Sequence, residues 1–336
     1  MLLFAGCGGT ADPDDGTVQT VATTTHVADI VREVGGDSVE VTQILKPNTD
    51  PHDYEPRPSD VEAVAGAEVV FMSGGDLDEW TDQLVSDSGS DATVVDLGSE
   101  LPVRIEGGHD EHEDHSEDQN HSGEDEERHS GDKGDERHSD EQGEQQGGET
   151  GETDPHWWHD PRNVRAATGE VEAALVAADP GQEAVFEQRA EQFRAQVEEV
   201  DASIAKCLDS VPEAERKLVT DHDALGYFAN RYDIEVVGAV IPALTSQAEP
   251  SAGDLAELER TIRQEGVNAI FPESAASPKL AEAVAADTGA TAEYSLYGDS
   301  LGDADSGAAT WIGMMKENAN SMVLGFTGGK RGCDFD

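Results

Sequence analysis

The chain has 336 residues and a formal charge of −52, long enough for two lobes of about 100–150 residues each. Residues 106–154 hold 20 acidic and 3 basic residues, yet the remainder still carries −35, so the acidity belongs to the whole surface. Such a surface excludes nucleic acid as a partner, because phosphate contacts need clustered Lys and Arg. With seven Lys and fourteen Arg, it suits either a high-salt habitat, where screening relieves self-repulsion, or an ordinary acidic extracytoplasmic protein.

No apolar run reaches the 18 or so residues of a membrane-spanning helix. The opening Met1-Leu-Leu-Phe-Ala-Gly-Cys7 ends as a bacterial or archaeal lipoprotein signal does, with small residues before the cysteine. Cleavage there leaves Cys7 to be acylated and holds the protein to a membrane surface outside the cytoplasm. The apolar segment is short and no basic residue precedes it, so a shortened or mis-started N-terminus is expected, a chance Gly-Cys being the alternative. Residues 8–16 then read as a tether.

From Thr17 strands and helices alternate. Residues 18–24, 39–45, 68–72 and 92–96 are β-branched or apolar runs that predict strands, and 27–34, 59–65 and 77–86 carry helical spacing, the second with Ser59 as its cap. Beyond Leu101 the composition collapses into Asp, Glu, Gly, Ser and Gln, which predicts a disordered insert over 106–154. A helix over 163–178 follows. The stretch 182–208 has no Gly or Pro and predicts a helix of roughly 40 Å, a spacer joining the lobes. The second half repeats the alternation, with strands at 217–220, 234–239, 269–271 and 292–295 and helices at 224–232, 251–265, 278–288 and 308–324. The expected architecture is α/β, with a mainly parallel sheet flanked by helices in each lobe. Its divisions are a signal and tether over 1–16, a first lobe over 17–180, a connecting helix over 181–209 and a second lobe over 210–330.

Eight of the eleven histidines lie in residues 109–159 and fall into two groups. His109, His112, His115, His121, His129 and His138 are scattered through the acidic insert. They are either solvated low-complexity chain or a weak auxiliary store of metal ions. His156 and His159 sit in Asp154-Pro-His-Trp-Trp-His-Asp-Pro161, whose aromatic and proline residues imply ordered backbone. Imidazole is a common ligand of zinc and its neighbours. His52 lies in a proline-stiffened loop after a strand, and His222 follows another strand, where α/β sheets bind ligands. Asp299 follows the last strand and could add an oxygen, with Asp303 and Asp305 close by in sequence. His26 reads as packing at a helix start, and His159 as a neighbour of the site or a surface residue. Cys207 and Cys333 make an even pair that an oxidising compartment favours bridging, two free thiols being the alternative.

These strings resemble the metal-binding solute-binding proteins of zinc and manganese ABC importers. The resemblance runs from about Val18 to Gly329 outside the insert. It rests on Asp50-Pro-His-Asp-Tyr-Glu-Pro56, Asp154-Pro-His-Trp157, Val219-Thr-Asp-His-Asp-Ala224, Phe271-Pro-Glu-Ser274 and Trp311-Ile-Gly-Met-Met315. It implies two four-stranded lobes joined by one long rigid helix, and a lipid-anchored or periplasmic location. Metal ligands are expected at His52, His156, His222 and Asp299, and the partners would be an ABC permease and its ATPase, with the binding protein a monomer. Manganese-type members carry a carboxylate where this chain has His222. Three imidazoles and one carboxylate suit four-coordinate Zn²⁺, whereas Mn²⁺ prefers more oxygen ligands and six-coordination. Glu235 and Glu273 are further carboxylates near the motifs. Manganese and, after it, iron remain alternative cargoes. A surface metal buffer or adhesin of the same fold is an alternative role. A zinc hydrolase is less well supported, because His156-Trp-Trp-His159 lacks the His-Glu-x-x-His pattern and a fourth ligand would fill the position a catalytic water needs.

Overall fold

The computed structural model describes residues 16–107 and 153–335. Cys7 and the six insert histidines lie outside the described residues. The first lobe is a parallel sheet in the order β2-β1-β3-β4, formed by Val18–Ala22, Val39–Gln43, Val69–Met72 and Thr93–Asp96 numbered in chain order. Between them run α1 (Thr25–Gly35), α2 (Pro58–Ala65) and α3 (Trp80–Ser88). The second helix begins one residue before Ser59, since Pro58 is preset for a first helical position. Its N-cap is Arg57 rather than Ser59, and the Asp60 carboxylate accepts the Arg57 backbone N–H at 2.6 Å. Helices α4 (Pro161–Ala178) and α5 (Glu183–Leu208) lead into the second lobe, which holds β5 (Lys217–His222), α6 (Gly226–Tyr232), β6 (Glu235–Ile241), α7 (Ala252–Glu265), α8 (Lys279–Thr288) and α9 (Trp311–Phe326).

The second sheet repeats the order of the first, but only β5 and β6 form a continuous parallel ladder. Residues 269–273 join β5, and 291–296 join them in turn, through the isolated parallel bridges Thr220↔Phe271, Ala269↔Thr291 and Glu273↔Leu296. Pro272 sits between two of those bridges. It has no N–H to give the ladder, although its carbonyl still accepts from Leu296 at 2.9 Å.

Helix α5 has 26 residues, about 39 Å at 1.5 Å per residue. It buries Phe186, Ala190, Phe193, Val197, Val200, Ile204 and Leu208, a three-and-four spacing that places them on one stripe. That stripe packs against α1, α4 and α9, so one apolar core runs through both lobes, from Ile30 and Val164 to Phe228 and Met322. Smaller cores close the outer faces, with Val21, Val64, Val70 and Leu84 in the first lobe and Val219, Leu258, Ile270 and Val284 in the second. Hydrogen bonds also cross between the lobes. Asp29 accepts the Trp311 N–H at 2.7 Å, Thr25 Oγ1 accepts from Leu301 N at 2.8 Å, and the Trp311 indole donates to the Trp158 carbonyl at 2.8 Å.

The insert leaves and returns at one point. Glu106 and Thr153 form an antiparallel bridge, and Asp154 N donates to Ile105 O at 3.1 Å. No helix among the described residues is long and apolar enough to cross a membrane. Cys207 at the end of α5 and Cys333 beyond α9 are joined by a disulfide, 126 positions apart in sequence. Closing a loop of that size removes freedom from the unfolded chain. Cys207→Ser with Cys333→Ser is expected to lower stability by about 5 kcal/mol, read from denaturant midpoints; identical midpoints with and without reductant would contradict the cross-link's role.

Candidate metal centre

Three of the candidate ligands end or follow strands of the two sheets, and the fourth precedes a helix. His52 occupies a short 3₁₀ turn, Pro51–Asp53, downstream of β2, and His222 is the last residue of β5. Asp299 follows the segment that closes the second sheet, and His156 precedes the turn Trp157–His159 that opens α4. The string Asp-Pro-His occurs twice, and both copies fold alike. The Asp50 carboxylate accepts His52 N at 2.9 Å, and the Asp154 carboxylate accepts His156 N at 2.8 Å, two Asx-type turns that hold the imidazole side chains in place. Asp154 Oδ1 also lies 2.7 Å from His156 Nδ1, which commits that nitrogen and leaves Nε2 to face the cleft.

The structure brings His52, His156, His222 and Asp299 together between the lobes, with one ligand atom from each lying within 4.8 Å of all the others. The imidazole centroids are 5.5–5.6 Å apart. Asp299 Oδ1 is 3.3 Å from His156 Nε2, while Oδ2 is 3.4 Å from His222 Nε2 and 3.7 Å from His52 Nε2. Ligand atoms at zinc bond lengths in a tetrahedron would be about 3.3 Å apart. All three Nε2 atoms and Asp299 Oδ1 are buried without a hydrogen-bond partner. Four adjacent unpaired polar atoms would be costly in a closed interior, and a cation at their centre satisfies them together.

Burial opposes charge on all of these groups, and the attraction of their neighbours overrides it at His156, His222 and Asp299. Burial alone would lower His156, but the Asp154 and Asp299 carboxylates outweigh it and push the group up to about 10. His222 is likewise raised, because Asp299 overcomes desolvation. His52 is lowered, since its desolvation exceeds the pull of Asp299. For Asp299 itself burial works upward, yet His222 and His156 hold it well below the usual carboxylate range. Glu273, fully buried beside Asp299, is pushed up to about 8 by burial and by that neighbouring carboxylate.

The residues around the ligands were less visible in sequence. Glu273 accepts from Gly298 N at 2.8 Å and from Ala275 N at 3.2 Å, holding the turn that carries Asp299. Asn318 on α9 brackets Tyr297 on both sides, accepting from its N–H and donating to its C=O at 2.8 Å each. Ser246 donates to Asp50 at 2.5 Å, linking the His52 loop to the other lobe. The repeated Asp-Pro-His string was a signal for Asp50 and Asp154; nothing local marks Asn318 or Ser246. Glu235 sits at the opposite end of its strand, exposed and 3.8 Å from Lys217, so it lies away from the centre. Asp303 and Asp305 are exposed. His26 is buried and stacked on Trp158 with ring centroids 3.8 Å apart, its Nε2 3.0 Å from Thr24 Oγ1. His159 is fully buried, which rules out the surface placement, and its Nε2 lies 2.8 Å from the Gly298 carbonyl.

Among the described residues, one ion-sized set of candidate ligands lies between two α/β lobes, an arrangement that fits a solute-binding protein for a small cation. The family described as zinc-uptake complex component A, periplasmic (ZnuA), matches residues 20–325, and the chain belongs to it, among the metal-binding solute-binding proteins of ABC importers, which are not enzymes. It is 27% identical to the manganese-binding lipoprotein MntA of Halalkalibacterium halodurans, over 97% of this chain and 95% of that protein. It is also 27% identical to the zinc-binding protein TroA of Treponema pallidum, over 92% of this chain and 89% of that one. The solved TroA structure superposes with a TM-score of 0.75, covering 93% of this chain and 99% of TroA at 26% identity. The iron-binding protein YfeA of Yersinia pestis is 24% identical over 92% of this chain and 86% of its own.

A raised His156 carries a proton at neutral pH, and a metal must displace it. The sign follows directly: acid adds a competitor and base removes it. Apparent metal affinity is expected to rise about tenfold per pH unit between roughly pH 6 and 8, with about one proton released per ion. Calorimetry in buffers of different ionisation enthalpy measures the release; an affinity independent of pH would contradict this account.

Proposed function

We propose that the chain captures Zn²⁺ through His52, His156, His222 and Asp299 outside the cytoplasm and delivers it to an ABC permease driven by its ATPase. The observation that carries the reading is the set of four buried, otherwise unpartnered ligand atoms, three of them imidazole nitrogens. The relatives are named for manganese, zinc and iron, so the choice of ion rests on donor chemistry. Three nitrogens and a carboxylate match a four-coordinate borderline ion better than the oxygen-rich, six-coordinate shell of Mn²⁺. Attachment through an acylated Cys7 fits relatives named as lipoproteins. With one core shared by both lobes, release depends on loops and slight lobe rotation rather than on a flexible hinge. The insert histidines serve as a weak auxiliary store that feeds the cleft.

Protein purified without chelators should contain one equivalent of zinc, and Zn²⁺ should displace Mn²⁺ in competition titrations. A preference for manganese would overturn the assignment. His222→Glu, which exchanges a nitrogen for a harder oxygen donor, should move that competition toward Mn²⁺; an unchanged ratio would remove His222 from the selectivity argument. Excising residues 108–152, whose flanks already pair, should leave tight binding intact. Loss of it would make the insert part of the primary site.

A further inference from the structure

The peptide between Gly298 and Asp299 is held more firmly than a surface turn needs. Its carbonyl oxygen receives two donors from the other lobe, Trp158 Nε1 at 2.9 Å and His159 Nε2 at 2.8 Å. A carbonyl can only accept, so His159 Nε2 carries the hydrogen. On the preceding peptide, Gly298 N donates to Glu273 at 2.8 Å. A side chain at 298 would place its Cβ 2.4 Å from Glu273 Oε2, so glycine is what lets the carboxylate approach this closely. Trp158 and His159 are both fully buried, and they lie two and three residues after the ligand His156. Because a peptide unit is planar, fixing its oxygen fixes the plane that also carries the Asp299 Cα.

We propose that His159 is a positioning residue, which with Trp158 grips the Gly298 carbonyl and so locks the carboxylate ligand of one lobe to the His156 segment of the other. The four ligands are thereby assembled before the ion arrives, and the ion leaves slowly because Asp299 cannot swing away alone. This inference rests on reading those four side chains as the metal site. Preorganisation of this sort cuts the ordering cost of binding, and partners outside the ligand shell commonly contribute 10–100-fold to metal affinity.

His159→Leu keeps the apolar bulk and deletes the donor, whereas His159→Gln returns an N–H at a similar reach. The probes are Zn²⁺ release into excess chelator and the visible ligand-field absorption of bound Co²⁺, which reports coordination geometry. Release from His159→Leu is expected to be about tenfold faster with an altered Co²⁺ spectrum, and His159→Gln should recover both. Trp158→Phe removes only the other N–H on the same carbonyl and should shift both readouts in the same direction, which serves if the leucine variant fails to fold. Wild-type release and spectrum in His159→Leu and Trp158→Phe would overturn the proposal while leaving the metal site standing. An unchanged Co²⁺ spectrum in His222→Ala would instead remove the site reading, and this inference with it.

Discussion

Two sheets can share one ion only if they are held at a fixed separation, and the buried stripe of α5 supplies that constraint. Its apolar residues from Phe186 to Leu208 pack into a core common to both lobes. The lobes therefore do not behave as two beads on a linker. Charged and polar contacts across the cleft add direction to that adhesion, with Asp29 on the Trp311 N–H and Thr25 on the Leu301 N–H. The hydrophobic term is non-directional, so these hydrogen bonds set the register of the lobes, to which a ligand cluster only a few ångströms across is sensitive.

Within that frame the candidate site concentrates unfavourable terms that a bound cation would relieve. Burial disfavours every charge present, and the Nε2 atoms have no hydrogen-bond partner. The Asp154 and Asp299 carboxylates outweigh burial and favour a proton on His156. A divalent ion bound at the proposed site would replace that proton and satisfy all four candidate ligand atoms at once. The surrounding groups prepare the exchange: Asp154 orients one imidazole, Glu273 and Asn318 hold the turn before Asp299, and Ser246 ties the His52 loop across the cleft.

Much of the frame was legible because its signals are local. Period-two and period-3.6 patterns located the strands and helices to within a few residues, since each pattern follows from the geometry of its own backbone. Where the reading departed, a tertiary reason is visible. Residues 269–271 and 292–295, expected as regular strands, pair only through isolated bridges, and Pro272 has no N–H to extend the first of them. Arg57 rather than Ser59 is the N-cap of α2, because Pro58 already occupies its first turn. Glu235 looked like a neighbour of the ligands and lies at the far end of β6, because position along a strand, rather than distance in sequence, decides which sheet end a residue meets.

The sequence by itself determined the α/β alternation, the long connecting helix, the acidic insert and the types of ligand available, because composition and periodicity are properties of the chain alone. Only the tertiary structure decided that residues 52, 156, 222 and 299 meet within a few ångströms, and that His159 faces a carbonyl rather than solvent. Those outcomes depend on how two sheets are packed about one helix. Packing is set by the sum of many non-local contacts, which no short string of residues records.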